Sequence, residues 1–104
     1  MATYGRHEHA MALSQDHVRG YILDVLNDQI SMGIDPATVS DGVSLGAEGL
    51  AIESLAFVEL TVALETEFGL RIADDDIDDL AKLTFGQFVA EIADRIDQQP
   101  TAKA

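Results

Sequence analysis

The sequence predicts an all-α protein: a small four-helix bundle with three longer helices, one short third helix and a long loop between helices one and two. Apolar residues recur at helical spacing in three long stretches, and no stretch shows a convincing alternation of the kind that strands have. The chain has 104 residues, of which 47% are hydrophobic, so it suits one domain with a single hydrophobic core.

The first helix is predicted at about residues 14–32. Ser14 is a favoured N-cap residue for the apolar stripe that follows. Gly33 is expected to end the helix, and Asp35-Pro36 supports that end because proline disfavours α geometry in the residue before it. The stripe consists of Val18, Ile22, Val25, Leu26 and Ile30.

Residues 34–53 are predicted to form a long connection that contains one proline and three glycines. A connection of this length inside a compact domain is uncommon and is usually functional or anchored. We expect its apolar side chains to pin it across the helices, so that the loop is ordered. These side chains are Ile34, Val39, Val43, Leu45, Leu50 and Ile52.

Three further helices are predicted after this loop. The second helix spans about 54–68 and ends at Gly69, and a short third helix spans 74–80 with acids at its N-terminus. Thr84 opens the last helix, and Gln87 completes a capping box with it. The residues predicted to face the core are Phe57, Leu60, Leu64, Phe68, Ile77, Leu80, Phe85, Phe88, Val89, Ile92 and Ile96.

The domain itself is predicted at residues 14–98. Residues 1–13 are predicted to be a flexible N-terminal extension, and residues 99–104 a flexible C-terminal tail. The N-terminus lacks the pattern of a secretory signal, and no apolar run approaches the ~18–20 residues that cross a bilayer. There are no cysteines, which excludes disulfides and thiolate metal sites. We therefore expect a cytoplasmic monomer.

The charge of the chain bears on its partners. Six Lys+Arg against nineteen Asp+Glu give a net charge of −13. Such a field repels phosphate backbones and anionic lipids, so neither nucleic-acid binding nor membrane binding is expected. It favours encounter with basic protein surfaces. The acids are concentrated in residues 53–79, which hold nine acids and one base, Arg71.

No metal site is predicted. The run from Asp74 to Asp79 invites a calcium interpretation, but an EF-hand loop needs glycine at its sixth position and glutamate at its twelfth. Counting from Asp74 places Asp79 and Phe85 there, so the run is better explained as the acidic start of a helix. His7 and His9 have no further ligands near them in the sequence.

No catalytic residue is predicted either. Ser54 lies in Ala51-Ile52-Glu53-Ser54-Leu55, which is not the Gly-x-Ser-x-Gly elbow of the α/β-hydrolases. All three histidines lie at or before position 17, so no dedicated base accompanies the serine, and there is no Gly-x-x-x-x-Gly-Lys phosphate loop. On local grounds Ser54 is adequately explained as a helix N-cap.

The surroundings of Ser54 are more specific than the residue alone. Leu45-Gly46-Ala47-Glu48-Gly49-Leu50-Ala51-Ile52-Glu53-Ser54-Leu55 leads into Val58-Glu59-Leu60 and then into Ala63-Leu64-Glu65-Thr66-Glu67-Phe68-Gly69. With the acidic short third helix and the fourth helix, this pattern resembles the acyl and peptidyl carrier proteins over about residues 18–97. In that family an Asp-Ser-Leu triplet opens the second helix, and its serine carries a 4′-phosphopantetheine arm.

The resemblance implies a carrier rather than an enzyme. Ser54, between Glu53 and Leu55, would bear a covalent 4′-phosphopantetheine donated by coenzyme A, and the thiol of this arm would hold acyl or aminoacyl cargo as a thioester. The implied partners are a phosphopantetheinyl transferase and acyltransferase, ketosynthase or adenylation-type loading enzymes with basic surfaces. The residues expected to contact them are Val58, Glu59, Val62, Glu65, Glu67, Asp74, Asp75 and Asp76.

Two departures from the family pattern lie beside the serine. Glu53 replaces the usual aspartate, which keeps the charge but lengthens the side chain, so the capping geometry should differ. Ala56 stands where many relatives carry an acid. Glu53 and the N-terminal extension favour polyketide or related specialised metabolism. The alternatives are a housekeeping fatty-acid carrier, a peptidyl carrier, and an acidic helical interaction module that never carries an arm; a hydrolase that uses Ser54 is a further one.

Overall fold

The structure, a computed structural model, describes residues 15–98. Ser14, the predicted extension 1–13 with its histidines, and the predicted tail 99–104 lie outside the described residues. The described part contains four helices and a short 3₁₀ turn. These are α1 (15–29, ending in a π-helical turn, Val25–Gln29), the 3₁₀ turn Pro36–Thr38, α2 (Ser54–Phe68), α3 (Asp74–Ala81) and α4 (Phe85–Asp97).

The predicted all-α class is confirmed. Among residues 15–98 the only extended pairing is one isolated antiparallel bridge, between Ser44 and Thr84. The capping box of α4 is present, because the Gln87 N–H donates to the Thr84 hydroxyl and the Thr84 N–H donates to the Gln87 side chain. Gly69 ends α2 in the left-handed conformation, with φ of 68°. None of these helices combines the length and apolar character that crossing a membrane requires.

The end of α1 differs from the prediction, which placed it near residue 32. The helix widens into the π turn and ends at Gln29. The chain then reverses at Ser31, whose φ is 62°, so Gly33, with φ of 66°, follows the end of the helix without causing it. Asn27 holds this exit by pairing with both backbone groups of Ile34, at 2.6 and 2.8 Å. A left-handed serine is uncommon, and no sequence signal indicated it.

The core is formed by one face of each helix together with parts of the connections. Ile77, Phe68 and Ile96, predicted to face the core, are half-buried and pack against its edge, as does Ile30. The expectation that apolar side chains anchor the long loop is confirmed, since all six of those named pack in or against the core. The larger buried side chains are Val18, Ile22, Leu23, Val25, Leu26, Val39, Leu45, Phe57, Leu60, Leu64, Leu70, Ile72, Leu80, Phe85, Phe88, Val89 and Ile92.

Candidate functional site

Ser54 is the first residue of α2, and it is exposed. The explanation of Ser54 as an N-cap is wrong, because the N-cap residue is Glu53, which has an extended backbone and whose carboxylate makes no capping hydrogen bond. The Glu53 carbonyl accepts the Phe57 N–H at 2.8 Å, which begins the helix. Uncapped first-turn N–H groups and the positive end of the helix dipole both favour an anion. The hydroxyl therefore lies where a phosphate group attached to it would be stabilised.

A tight turn leads the chain into α2. The Leu50 N–H donates to the Ser44 carbonyl at 2.8 Å, and the Ile52 N–H donates to the Leu45 carbonyl at 3.0 Å. Gly49 packs so closely on the Ser44 backbone that a Cβ atom would overlap it. Because Leu45 is buried, this turn is fixed directly to the core.

Ala51, just before the start of α2, has a left-handed backbone with φ of 58°. This conformation costs an L-residue roughly 1–2 kcal/mol, so it must be imposed by its surroundings. The Ala51 N–H donates to the Gly46 carbonyl at 2.8 Å, within the same tight turn. The turn, and not the preference of Ala51, therefore sets the direction in which the chain enters Ser54.

Arg19 of α1 binds the middle of the long loop between α1 and α2. Its guanidinium donates to the Asp41 carboxylate at 2.6 Å and to the Val39 carbonyl at 2.8 Å, and lies over the Phe85 ring at 4.9 Å from the ring centre. The Gly86 N–H donates to the Asp41 carbonyl at 2.8 Å. Sequence reasoning did not single out Arg19 or Asp41, because their separation along the chain follows no periodic pattern.

An apolar row lies on the outer face of α2. Leu55, Val58 and Val62 are 71%, 38% and 53% exposed, and they are the exposed large hydrophobic residues of the described chain. Their spacing places them on one side of the helix, opposite the buried Phe57 and Leu64. Since large apolar groups on a helix surface cost free energy in water, this row is a candidate contact surface.

The predicted partner-contacting acids of α2 differ in their surroundings. Glu59 is exposed beside the apolar row, and Glu67 is exposed in the last turn of α2. Glu65 is half-buried, and its carboxylate accepts the Ile72 N–H at 2.8 Å. Glu65 thus stabilises the connection between α2 and α3, a role that its place in the sequence pattern did not reveal.

The predicted acids of α3 also differ among themselves. Asp74 and Asp75 are exposed in the first turn, where the helix dipole favours them. Asp76 is half-buried and pairs with Arg95 of α4 at 3.2 Å. Arg95 also pairs with Glu91 at 2.7 Å, and this hydrogen bond is the main reason why the pKa of Arg95 lies above its ordinary value. Within residues 15–98 no three His, Asp or Glu side chains form a group that could hold a metal ion.

Tyr21 of α1 contacts α2 near the C-terminal end of α2. Its hydroxyl donates to the Ala63 carbonyl at 3.3 Å, and its ring meets the Phe68 ring edge-on with 5.4 Å between centres. Burial, and secondarily the charge of Glu67, raise the pKa of Tyr21 above its ordinary value of 10.0. In the sequence Tyr21 only flanked the predicted stripe of the first helix, and nothing there indicated this contact.

Comparison with known proteins gives a matching family model and several similar proteins. A family model described as "Phosphopantetheine attachment site" matches residues 18–96. The "Meromycolate extension acyl carrier protein" of Mycolicibacterium aurum is 32% identical over 94 residues, covering 90% of this chain and 92% of that protein. No solved structure gives a significant match.

Two further relatives extend the range of similar proteins. An "Acyl carrier protein" of Acidothermus cellulolyticus is 35% identical, covering 80% of this chain and 93% of its own length. The "Polyketide-8 synthase acyl carrier protein 2" of Streptomyces avermitilis is 33% identical, covering 69% of this chain and 75% of its own length. All three relatives carry the words acyl carrier protein in their names.

Proposed function

The chain belongs to the acyl carrier protein family, in which 4′-phosphopantetheine is attached covalently to a serine, and we propose that Ser54 is that serine. Acyl carrier proteins are non-catalytic, so the chain is a carrier that works with biosynthetic enzymes. When bound, the arm supplies a terminal thiol that holds an acyl group as a thioester. The residues of the chain position the attachment point and meet the enzymes.

The position of Ser54 is the observation that carries this proposal. Serines 31, 40, 44 and 54 are described, and Ser54 alone among them begins an α-helix. The Ser44 hydroxyl, by contrast, is half-buried and accepts the Gly46 N–H at 3.0 Å. An exposed hydroxyl beside uncapped helix amides suits a phosphodiester, because those amides can donate to its oxygens.

Attachment to Ser54 requires coenzyme A and a transferase. The Ser54 Oγ attacks the pantetheine-side phosphorus of coenzyme A, a new P–O bond forms, and the P–O bond to 3′,5′-ADP breaks. The hydroxyl proton leaves to a base that the transferase supplies, since the described residues place no histidine near Ser54 and the one they include, His17, stacks edge-on against Phe68 at the far end of α2.

The proposed cargo is acyl rather than aminoacyl. The relatives are named for meromycolate extension and for a polyketide synthase, which favours acyl-chain building in polyketide or related specialised metabolism. A housekeeping fatty-acid carrier is the alternative, and the Acidothermus relative's general name is compatible with it. The mass of the loaded protein isolated from its native host distinguishes these possibilities.

The proposed partner surface is the outer face of α2 with the start of α3. Leu55, Val58 and Val62 supply apolar contact next to Ser54. The acids steer basic surfaces of the transferase and of acyltransferase, ketosynthase or other loading enzymes. These acids are Glu59, Glu65, Glu67, Asp74, Asp75 and Asp76, of which Glu65 and Asp76 also have the internal partners described above.

Intact-mass measurement tests the attachment site. The full chain is incubated with coenzyme A and a promiscuous phosphopantetheinyl transferase. The wild type and Ser40→Ala, a matched control at an exposed loop serine, should each gain one phosphopantetheinyl group. Ser54→Ala should gain none. An equal gain by Ser54→Ala would refute the assignment, and no gain by the wild type would favour an acidic interaction module without an arm.

A further inference from the structure

A groove of about 530 Å³ lies along α4, beside the first described turn of α1, and is called the α4 groove below. Its apolar strip consists of three side chains, of which Ala93 is buried, Leu83 is half-buried and Ala90 is exposed. The other described residues that line it are polar or acidic, namely Gln15, Gln87, Glu91, Asp94 and Asp97. An occupant of this groove therefore meets an apolar strip and three carboxylates.

Two acids of the α4 groove are placed where they do not favour α4 itself. Asp94 and Asp97 lie in the last turn of this helix, where the helix dipole disfavours negative charge. Both are exposed, and neither forms an ion pair with another residue of the described range 15–98. The Asp94 carboxylate accepts the neutral side-chain amide of Gln98 at 3.0 Å, whereas Glu91, one turn earlier, is paired with Arg95. A positive group beside Asp94 and Asp97 would therefore be favourable.

The packing of α1 against α4 determines which end of α4 lies near the start of α1. Arg19 of α1 lies over Phe85, the first residue of α4. Gln15, one turn earlier in α1, shares a small cavity with Val89, one turn later in α4, and also lines the α4 groove. The two helices therefore run antiparallel here, so the start of α1 faces the C-terminal half of α4. Residues 1–14, which lie outside the described residues, are joined to the chain at this edge of the groove.

The length of chain before Gln15 is sufficient for Arg6 to reach the end of α4. From Val89, which lies near Gln15, to Asp97 the helix rises about 12 Å. Arg6 precedes Gln15 by nine residues, which span about 14 Å as a helix and about 30 Å when fully extended. The guanidinium of Arg6 can therefore reach the last turn of α4 in either conformation.

The composition of residues 1–14 suits an acidic groove better than that of the rest of the chain. With histidines counted as neutral, Arg6 and Glu8 are the charged residues of this segment, so the net charge of −13 lies entirely in the remainder of the chain. Met11 and Leu13 are apolar and lie close to the groove in sequence, so they can cover its apolar strip. Because the segment is attached at the edge of the groove, its binding is intramolecular, with an effective concentration on the order of millimolar.

We propose that residues 1–14 bind in the α4 groove of the same molecule. Their apolar side chains cover the apolar strip, and Arg6 lies beside Asp94 and Asp97. The bound segment removes apolar surface from water and supplies the last turn of α4 with the positive charge that the helix dipole favours there. This inference does not rest on the proposed carrier function, and it concerns a surface other than that of α2. It replaces the expectation of a flexible N-terminal extension with an extension that is bound.

Nuclear magnetic resonance of the full chain, labelled with ¹⁵N and ¹³C, tests this binding directly. The backbone order parameters of Met11 and Leu13 should be near the ~0.85 of rigid backbone, whereas flexible residues give values below ~0.6. Their methyl groups should show nuclear Overhauser contacts with the methyl groups of Ala90 or Ala93. Low order parameters or the lack of these contacts would overturn the proposal. Contacts that form solely between labelled and unlabelled molecules in a mixed sample would also overturn it, since they would place a second copy in the groove.

Matched variants test the role of the two acids. Amide hydrogen exchange at Leu13 reports how often the segment leaves the groove. Asp94→Asn with Asp97→Asn should speed this exchange by about fivefold, because two charge interactions are lost. Asp24→Asn with Asp28→Asn removes the same charge from exposed positions of α1 outside the described lining of the groove, and should change the exchange less than about twofold. Equal effects of the two pairs would overturn the proposal.

An exchange of charges tests the role of Arg6. Arg6→Glu should speed amide exchange at Leu13, and so should Asp94→Lys with Asp97→Lys. Since the helix dipole favours cations at a helix C-terminus, the two lysines should not weaken α4, and an unchanged melting temperature then separates undocking from unfolding. A variant with all three changes restores opposite charges and should recover most of the protection seen in the wild type. If it recovers none, Arg6 does not bind these acids and the proposal is refuted.

Discussion

The Glu65 carboxylate accepts the backbone N–H of Ile72 at 2.8 Å, which joins the last turn of α2 to the connection that leads into α3. The connection has no helix of its own, yet Leu70 and Ile72 are buried. A buried backbone N–H without an acceptor is costly, and here a side chain from the helix supplies the acceptor. Glu65 thus has a structural role, whereas the other two acids of α2, Glu59 and Glu67, are exposed to solvent.

Removal of this acceptor should destabilise the protein. Glu65→Ala should lower the free energy of unfolding by about 1–2 kcal/mol, because the Ile72 N–H loses its partner, while Glu65→Gln should lose less since its amide oxygen still accepts. Glu67→Ala, at an exposed acid on the same helix, is the control and should change stability little. Urea unfolding measures all three. Equal losses for Glu65→Ala and Glu67→Ala would contradict the role assigned to Glu65.

Gly86 is predicted to be intolerant of a side chain. A Cβ atom there would lie 2.5 Å from the Asp41 Cβ and 3.0 Å from the Asp41 carbonyl oxygen. Asp41 cannot retreat freely because Arg19 holds its carboxylate. Gly86→Ala should therefore lower the free energy of unfolding by about 1–3 kcal/mol.

Gly20→Ala provides the matched control for Gly86→Ala. Gly20 is exposed within α1, and a Cβ atom there meets nothing within 4 Å. Alanine is the better helix former, so this variant should be more stable by about 0.5–1 kcal/mol. Calorimetric melting of both proteins measures the two changes. Shifts of the same sign would show that the contact with Asp41 does not decide the outcome at Gly86.

Much of the fold follows from the sequence because local signals and periodicity agree. The start and end of α2 and the capping box of α4 were predicted, since helix caps depend on a few neighbouring residues. The early end of α1 was not, because it depends on a reversal at Ser31 and on Asn27 pairing with Ile34. Contacts between distant segments leave no periodic trace in a single sequence.

The candidate site, like the fold, was predicted where local sequence signals decide it and was missed where contacts between distant segments decide it. Ser54 was singled out by a motif that surrounds it in the chain, and the structure places it exposed at a helix start. The hydrogen bond from Tyr21 to the Ala63 carbonyl was not foreseen, because it forms only after α1 and α2 pack. The internal role of Glu65 was hidden for the same reason. Charge alone does not distinguish an acid that faces a partner from one that holds a loop.

Glu53→Asp is predicted to stabilise the protein before the arm is attached. The Glu53 carboxylate makes no capping bond, and aspartate is a favoured N-cap residue whose shorter side chain reaches the first-turn amides. The melting temperature of the unmodified protein should rise, with a gain of about 0.5–1 kcal/mol. Glu59→Asp, an identical change within α2, should give no gain. If Glu53→Asp leaves the melting temperature unchanged, the start of α2 is not limited by its cap.

The raised pKa of Tyr21 predicts a specific loss of stability in alkali. Burial and the charge of Glu67 raise the pKa of the Tyr21 phenol in the folded protein above its ordinary value of 10.0. As the pH rises, the phenol therefore ionises in the unfolded chain before it ionises in the folded protein. Stability should therefore fall as pH rises past about 10 and continue to fall until the folded phenol ionises. Tyr21→Phe should be less stable at neutral pH, because the bond to the Ala63 carbonyl is lost, yet should show a shallower decline in alkali.

The pKa of Tyr21 can be measured directly. The chain has two tyrosines, so in Tyr4→Phe the phenolate absorbance reports Tyr21 alone. The folded protein should titrate above pH 10.0, and the same protein in urea should titrate near that value. Glu67→Gln should lower the folded pKa only in part, because burial is the larger cause. A folded protein that titrates at or below the value in urea would refute the raised pKa of Tyr21 and the desolvation assigned as its main cause.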